Sequence, residues 1–182
     1  MFPGIWTSLF VDHRLADAVE ILSRHGWRAF EVSTEHLDHL LRSADPDDEI
    51  RHTREAAERL GVRLLQAHAY IRANVANPDQ IEREKDILHL IRHFEIASQI
   101  GVQVVVLHPG QGGEPVHDDN LQSLVDLNAE VFRRLCAQAR PLGLQIAVEN
   151  MMDSAKTGKR RLGVNADQLL GLLRAVNDPA FG

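Results

Sequence analysis

The chain has 182 residues, 44% hydrophobic and 25% charged, a balance that fits one globular domain with a substantial core. A formal net charge of −6 makes nucleic-acid binding the weaker reading, because a phosphate binder normally shows a basic excess or face. No apolar run approaches the roughly 18 residues of a membrane helix, and the opening Met1-Phe2-Pro3-Gly4 lacks the pattern of a secretory signal, so a cytoplasmic location is expected.

The first predicted strand is Ile5 to Phe10. Leu15, Ala18, Val19 and Leu22 then follow helical spacing up to Gly26, and a strand is predicted near 29–33. Gly61 precedes a strand near 63–68. Ile87, Ile91, Phe94 and Ala97 mark a helix that stops at Gly101, before a strand near 103–108. Leu121, Val125, Phe132, Cys136 and Ala139 mark another that stops at Gly143, before a strand near 144–149. A last helix is predicted from Ala166 to Val176, with Asn165 as its N-cap.

The segments Gly26-Trp27-Arg28-Ala29-Phe30, Gly61-Val62-Arg63-Leu64-Leu65, Gly101-Val102-Gln103-Val104-Val105 and Gly143-Leu144-Gln145-Ile146-Ala147 share one pattern. Each is glycine, an apolar residue, Arg or Gln, then apolar residues. The glycines stand 35, 40 and 42 residues apart, about one strand, one helix and their loops. Glycine past a helix is its expected stop, and the near-continuous apolar runs suit parallel strands covered on both faces. The class is therefore α/β, with five βα units.

Five such units would suit a doubly wound open sheet or the first five-eighths of a (β/α)₈ barrel of about 250 residues. Size favours the open sheet. The strand ends favour the barrel: Glu31, His68, His108 and Glu149 lie five, seven, seven and six residues past their glycines, at about one level. Barrel strands converge there on a single site, and no glycine-rich phosphate loop follows the first strand. The expected fold is a (β/α)₈ TIM-barrel type with about the first five βα units present. Of the ten histidines, His25, His52, His89 and His93 sit among charged residues and are read as solvated surface. Cys136 lies on an apolar helix face and is read as core, and a single cysteine fits a reducing compartment.

Three stretches resemble the xylose isomerase-like TIM barrels, the superfamily of sugar isomerases and epimerases and of the endonuclease IV-type AP endonucleases. Gln66-Ala67-His68-Ala69-Tyr70 with Asn74-Val75-Ala76-Asn77-Pro78 is similar to the third-strand segment, Val106-Leu107-His108-Pro109-Gly110 to the fourth, and Ala147-Val148-Glu149-Asn150 to the fifth. The resemblance spans about residues 60–182, with Phe30-Glu31-Val32 a looser match before it. It implies that Glu149 ligates a divalent metal (Mn, Co, Mg or Zn). In the endonuclease branch His68 and His108 would join it on zinc, and in the isomerase branch they would contact substrate. The further ligands of the isomerases come from strands six to eight, so one domain over 1–182, incomplete at its C-terminus, is expected.

The leading expectation is a metal-dependent sugar or sugar-phosphate isomerase or epimerase working by proton transfer next to a carbonyl, with Glu149 the catalytic carboxylate. The alternatives are zinc-dependent phosphodiester hydrolysis and an inactive fragment. Substrate contacts are expected from His68, His108, Glu31, Trp6 and Lys156, although core packing is the plainer reading of Trp6. Lys156-Thr157-Gly158-Lys159-Arg160-Arg161 could hold a phosphate or be a solvated basic loop, and Glu114 and Asp153 are read as solubilising charge. Unpaired edges at the first and fifth strands point to a truncated chain, a natural fragment or a chain completed by a second copy, and a homo-oligomer is expected.

Overall fold

Each repeat glycine does the same backbone job in the computed structural model of the chain, which describes residues 3–154 and 157–182. Gly26, Gly61, Gly101 and Gly143 all take positive φ, between 62° and 91°. The next residue then sends its N–H back to the carbonyl five residues earlier: Trp27 to Leu22, Val62 to Ala57, Val102 to Ala97 and Leu144 to Ala139. That six-to-one bond closes a helix and turns the chain toward a strand. The repeat is a helix stop used four times.

The elements are β1 (Ile5–Trp6), α1 (Leu15–Arg24), β2 (Ala29–Val32), α2 (Thr34–Arg42), α3 (Pro46–Leu60), β3 (Arg63–His68), α4 (Gln80–Gln99), β4 (Val104–Leu107), α5 (Asp118–Ala139), β5 (Gln145–Val148) and α6 (Ala166–Val176). The five strands form one parallel sheet in chain order. Two expectations change. The first strand is only Ile5–Trp6, because Thr7–Phe10 coils into a 3₁₀ turn. Thr7 is anchored where the turn begins: its buried hydroxyl accepts the Ser33 N–H at 2.9 Å and lies 2.9 Å from His36 Nδ1. The second unit also carries two helices, since Ser33 caps α2 while Asp45, followed by Pro46 at the first turn, starts α3 afresh.

Strand side chains alternate. Phe30, Val32, Ala67, Val105, Leu107 and Ile146 are buried with Leu15, Val19, Leu37, Leu90, Phe94, Phe132 and Leu135 of the helices in one core. Cys136 belongs to that core, as expected, and burial pushes its thiol up to about 11. The opposite parity, Glu31, Gln66, His68, Val106, His108, Ala147 and Glu149, forms the inner face. At β5 the edge is partly covered. Ile146 donates to Ala180 at 2.7 Å, Val148 donates to Gly182 at 2.7 Å, and Phe181 pairs parallel with Ile146.

The register shows the barrel stagger. His68 lies opposite Val106, and Val106 opposite Ala147, so the row through His68 reaches β5 two residues before Glu149. Equal offsets from the glycines thus do not put the strand ends in one row. Barrel strands tilt, and a shear of about eight over eight strands moves a level up by one residue per strand. His68 and Glu149, two strands and two residues apart, share a level of such a barrel.

Candidate functional site

Three inner-face side chains converge at the C-terminal ends of β3, β4 and β5. His68 Nε2 lies 3.1 Å from Glu149 Oε2, and His108 Nε2 lies 3.1 Å from the same oxygen. The two imidazoles meet edge to face, 4.9 Å between centroids. His68 is buried and His108 half-buried, while the Glu149 side chain is 46% exposed, so the cluster opens outward on the carboxylate side.

The tautomer of His68 follows from its other nitrogen. Nδ1 is 3.0 Å from the Ala69 carbonyl, which can only accept, so Nδ1 carries the proton. With the proton of this tautomer on Nδ1, Nε2 points its lone pair at a carboxylate oxygen. Two lone pairs at 3.1 Å repel unless a proton or a cation sits between them. The ligand atoms of His68, His108 and Glu149 all lie within 4.8 Å of one another, a spacing one metal ion can bridge. An imidazole anchored through Nδ1–H to a carbonyl is also the usual support of a metal ligand. Burial lowers the pKa of His108, which favours the lone-pair-bearing form, while the Glu149 carboxylate pulls the other way. The donor set fits a divalent cation.

Glu31 stays outside this trio. Its Oε2 accepts from Gln66 Nε2 at 2.8 Å, one register step lower on the inner face. Trp6 sits opposite Glu31, its ring 6.5 Å from the His68 ring, and is 39% exposed. It is exposed beside the cluster and is not core. Lys156 lies outside the described residues. Of its loop, Lys159 and Arg160 are exposed, and Asp153 ties the loop back by accepting the Arg161 N–H at 3.1 Å.

Several supporting residues escape a sequence reading. Thr34 Oγ1 lies 2.6 and 3.0 Å from the carbonyls of Ala69 and His68, fixing the end of β3. Asn128 is fully buried; it accepts the Gly110 N–H at 2.6 Å and donates to the Gly110 carbonyl at 3.0 Å. Asn74 and Gln111 exchange two 2.8 Å bonds, joining the loops after β3 and β4. A polar residue standing in an apolar helix face was the one available signal, at Asn128. Gly110 is a further supporting residue. It is needed for close approach, since a Cβ there would lie 2.3 Å from the Ala76 nitrogen.

His89 and His93 correct the reading as solvated surface. His93 is fully buried, and both rings bind Asp38 of α2. His25 and His52 are exposed, as expected.

A family model described as a xylose isomerase-like TIM barrel matches residues 19–182. The chain belongs to that family. A probable endonuclease 4 from the Aster yellows witches'-broom phytoplasma is 25% identical over 163 residues, 88% of this chain and 54% of its own. Among solved structures, a D-psicose 3-epimerase determined with D-fructose superposes at a TM-score of 0.78, with 15% identity, over all of this chain and 62% of its own. The IOLI protein with a zinc atom bound superposes at 0.75, with 17% identity, over all of this chain and 61% of its own. The chain spans a little over half the length of the curated relatives it matches, 58% and 54% of them. The two superpositions show a shared fold over the length of this chain.

Proposed function

We propose that the chain forms part of the active site of a divalent-metal-dependent isomerase or epimerase acting on a sugar or sugar phosphate. The observation that carries this reading is the meeting of His68 Nε2 and His108 Nε2 on one oxygen of Glu149, each at 3.1 Å. His68, His108 and Glu149 would hold the metal, whose positive charge would offset the negative charge that develops when a proton leaves a carbon beside a carbonyl. Mixed nitrogen and oxygen ligation suits Mn²⁺, Co²⁺ or Zn²⁺, with Mg²⁺ the harder alternative.

The protein groups divide the remaining tasks. The exposed side of Glu149 faces the mouth, where a carboxylate can accept the proton and return it. His68 stays fixed through Nδ1–H. Trp6 offers an apolar wall, and Glu31, held by Gln66, offers an acceptor at the floor. Lys156 and its basic neighbours would take the phosphate of a phosphorylated substrate. The names of the epimerase structures support this substrate class, and the net charge of −6 favours it over nucleic acid. A cytoplasmic homo-oligomer covering the free edge of β1 belongs to the same proposal and would show as a multiple of the chain mass in sedimentation.

The test is exchange of the proton beside the carbonyl. Ketohexoses and their phosphates are incubated in D₂O with the chain and Mn²⁺ or Co²⁺, and deuterium incorporation is followed by NMR. Metal-dependent exchange that disappears in Glu149→Gln is expected. Cleavage of an abasic-site duplex without any exchange would instead favour the endonuclease reading, which the phytoplasma relative's name motivates. Equal metal affinity of wild type and Glu149→Ala in calorimetry would remove Glu149 from the ligand set.

A further inference from the structure

We propose that Asp38, His89 and His93 form a second site for a divalent transition metal, on the helical layer and separate from the strand-end cluster. His89 and His93 stand one turn apart on α4 and so share a face of that helix. Asp38 reaches them from α2. His89 Nε2 lies 2.7 Å, and His93 Nε2 2.9 Å, from Asp38 Oδ1, and the three ligand atoms fall within 4.8 Å of one another. Two imidazoles and a carboxylate from two elements are a standard three-ligand set for zinc and its neighbours.

The surroundings hold these groups in ligand form. Arg42 contacts Asp38 Oδ2 at 2.9 Å, which orients the carboxylate and leaves Oδ1 to the histidines. Tyr70 packs on His89 at 4.2 Å between centroids, and the two imidazoles lie edge to face at 4.7 Å. The cluster borders a cavity. Asp38 and His89 line a cavity of about 510 Å³ together with Tyr70, Arg72 and Arg92, while His93 closes the back. Water or a small anion can therefore complete the coordination from the cavity.

One feature sets the strength. His93 Nδ1 is buried with no hydrogen-bond partner among the described residues. Metal-bound imidazoles usually donate that N–H to a carbonyl or carboxylate, and losing such a partner weakens binding about 10–100-fold. The site is thus a reversible one, weaker than a fully supported structural zinc site by about that factor. The metal would tie α2 to α4 beside Tyr70, two residues beyond His68.

The experiment is zinc stoichiometry of the full chain after equilibrium dialysis, by elemental mass spectrometry. The samples are wild type, Glu149→Gln, His89→Ala and the double variant, with circular dichroism confirming helix content. His89 is partly exposed, so its truncation leaves the core intact. His89→Ala is expected to lower bound zinc by one equivalent in either background, and Asp38→Asn to do the same. Unchanged zinc content on removing His89 would overturn the site. Loss in Glu149→Gln reports the strand-end cluster alone, so the two assignments fail independently.

Discussion

Replacing Gly110 with alanine tests the join between the loops behind the site. An ideal Cβ at this position would lie 2.3 Å from the Ala76 nitrogen, 2.8 Å from Ala76 Cβ and 2.8 Å from Val75 Cγ2. The nearest atom is backbone, in a segment pinned by the Asn74–Gln111 bonds, so it cannot swing aside as a surface side chain would. Overpacking of this kind costs about 1–3 kcal/mol. Relief by moving Gly110 would stretch its two bonds to buried Asn128, worth about 1 kcal/mol each. Reduced chain entropy in the unfolded state returns about 0.4–1 kcal/mol. The net expectation is a loss of about 2–4 kcal/mol, which for a chain of this size lowers Tm by about 4–16 °C. Urea unfolding followed by circular dichroism, with the thermal melt alongside, measures both. A Gly110→Ala protein within about 0.5 kcal/mol of wild type would refute the close-approach argument.

Three further outcomes follow from buried polar groups and from the core. Thr7→Val keeps the shape but strips the Ser33 N–H of its acceptor, and a loss of about 1–3 kcal/mol in the same urea assay is expected. Asn128→Ala leaves both the N–H and the carbonyl of Gly110 without their partner and opens a cavity, so a loss of at least about 2 kcal/mol is expected. Cys136, fully buried with its thiol raised to about 11 by burial and then by the charge of Asp178, should resist a disulfide reagent in the native state and release one equivalent of thiolate in guanidinium. Rapid native labelling would contradict its place in the core.

The layout of helices and strands was legible because it rests on local rules. The four glycines mark helix stops through one backbone motif, and the apolar runs after them became β2 to β5 within a residue or two. What stayed hidden depends on partners distant in sequence. The buried face of α4 is Leu90, His93, Phe94 and Ala97, so His93 stands inside an apolar stripe at helical spacing. Nothing local says that this histidine is tolerable there, because its partner Asp38 is 55 residues away. Thr7 is similar: the stretch Ile5 to Phe10 looks like strand, but Thr7 begins a 3₁₀ turn where its buried hydroxyl accepts the N–H of Ser33, 26 residues away. Local pattern located the elements, and long-range hydrogen bonds decided their ends.

The choice between open sheet and barrel and the choice of site residues turn out to be one inference. In a flat parallel sheet β3 and β5 would lie about 9.6 Å apart sideways, two strand spacings, and Glu149 would stand a further ~6.6 Å along from the row of His68. Side chains of His and Glu projecting side by side from a flat face do not close that gap to 3.1 Å. Curling the sheet brings the inner faces of alternate strands toward one axis, and tilting the strands cancels the two-residue displacement. The contact therefore requires the curvature and the stagger together. Glu149, two residues beyond the row of His68, stands where the tilt of the strands brings both imidazoles to one of its carboxylate oxygens.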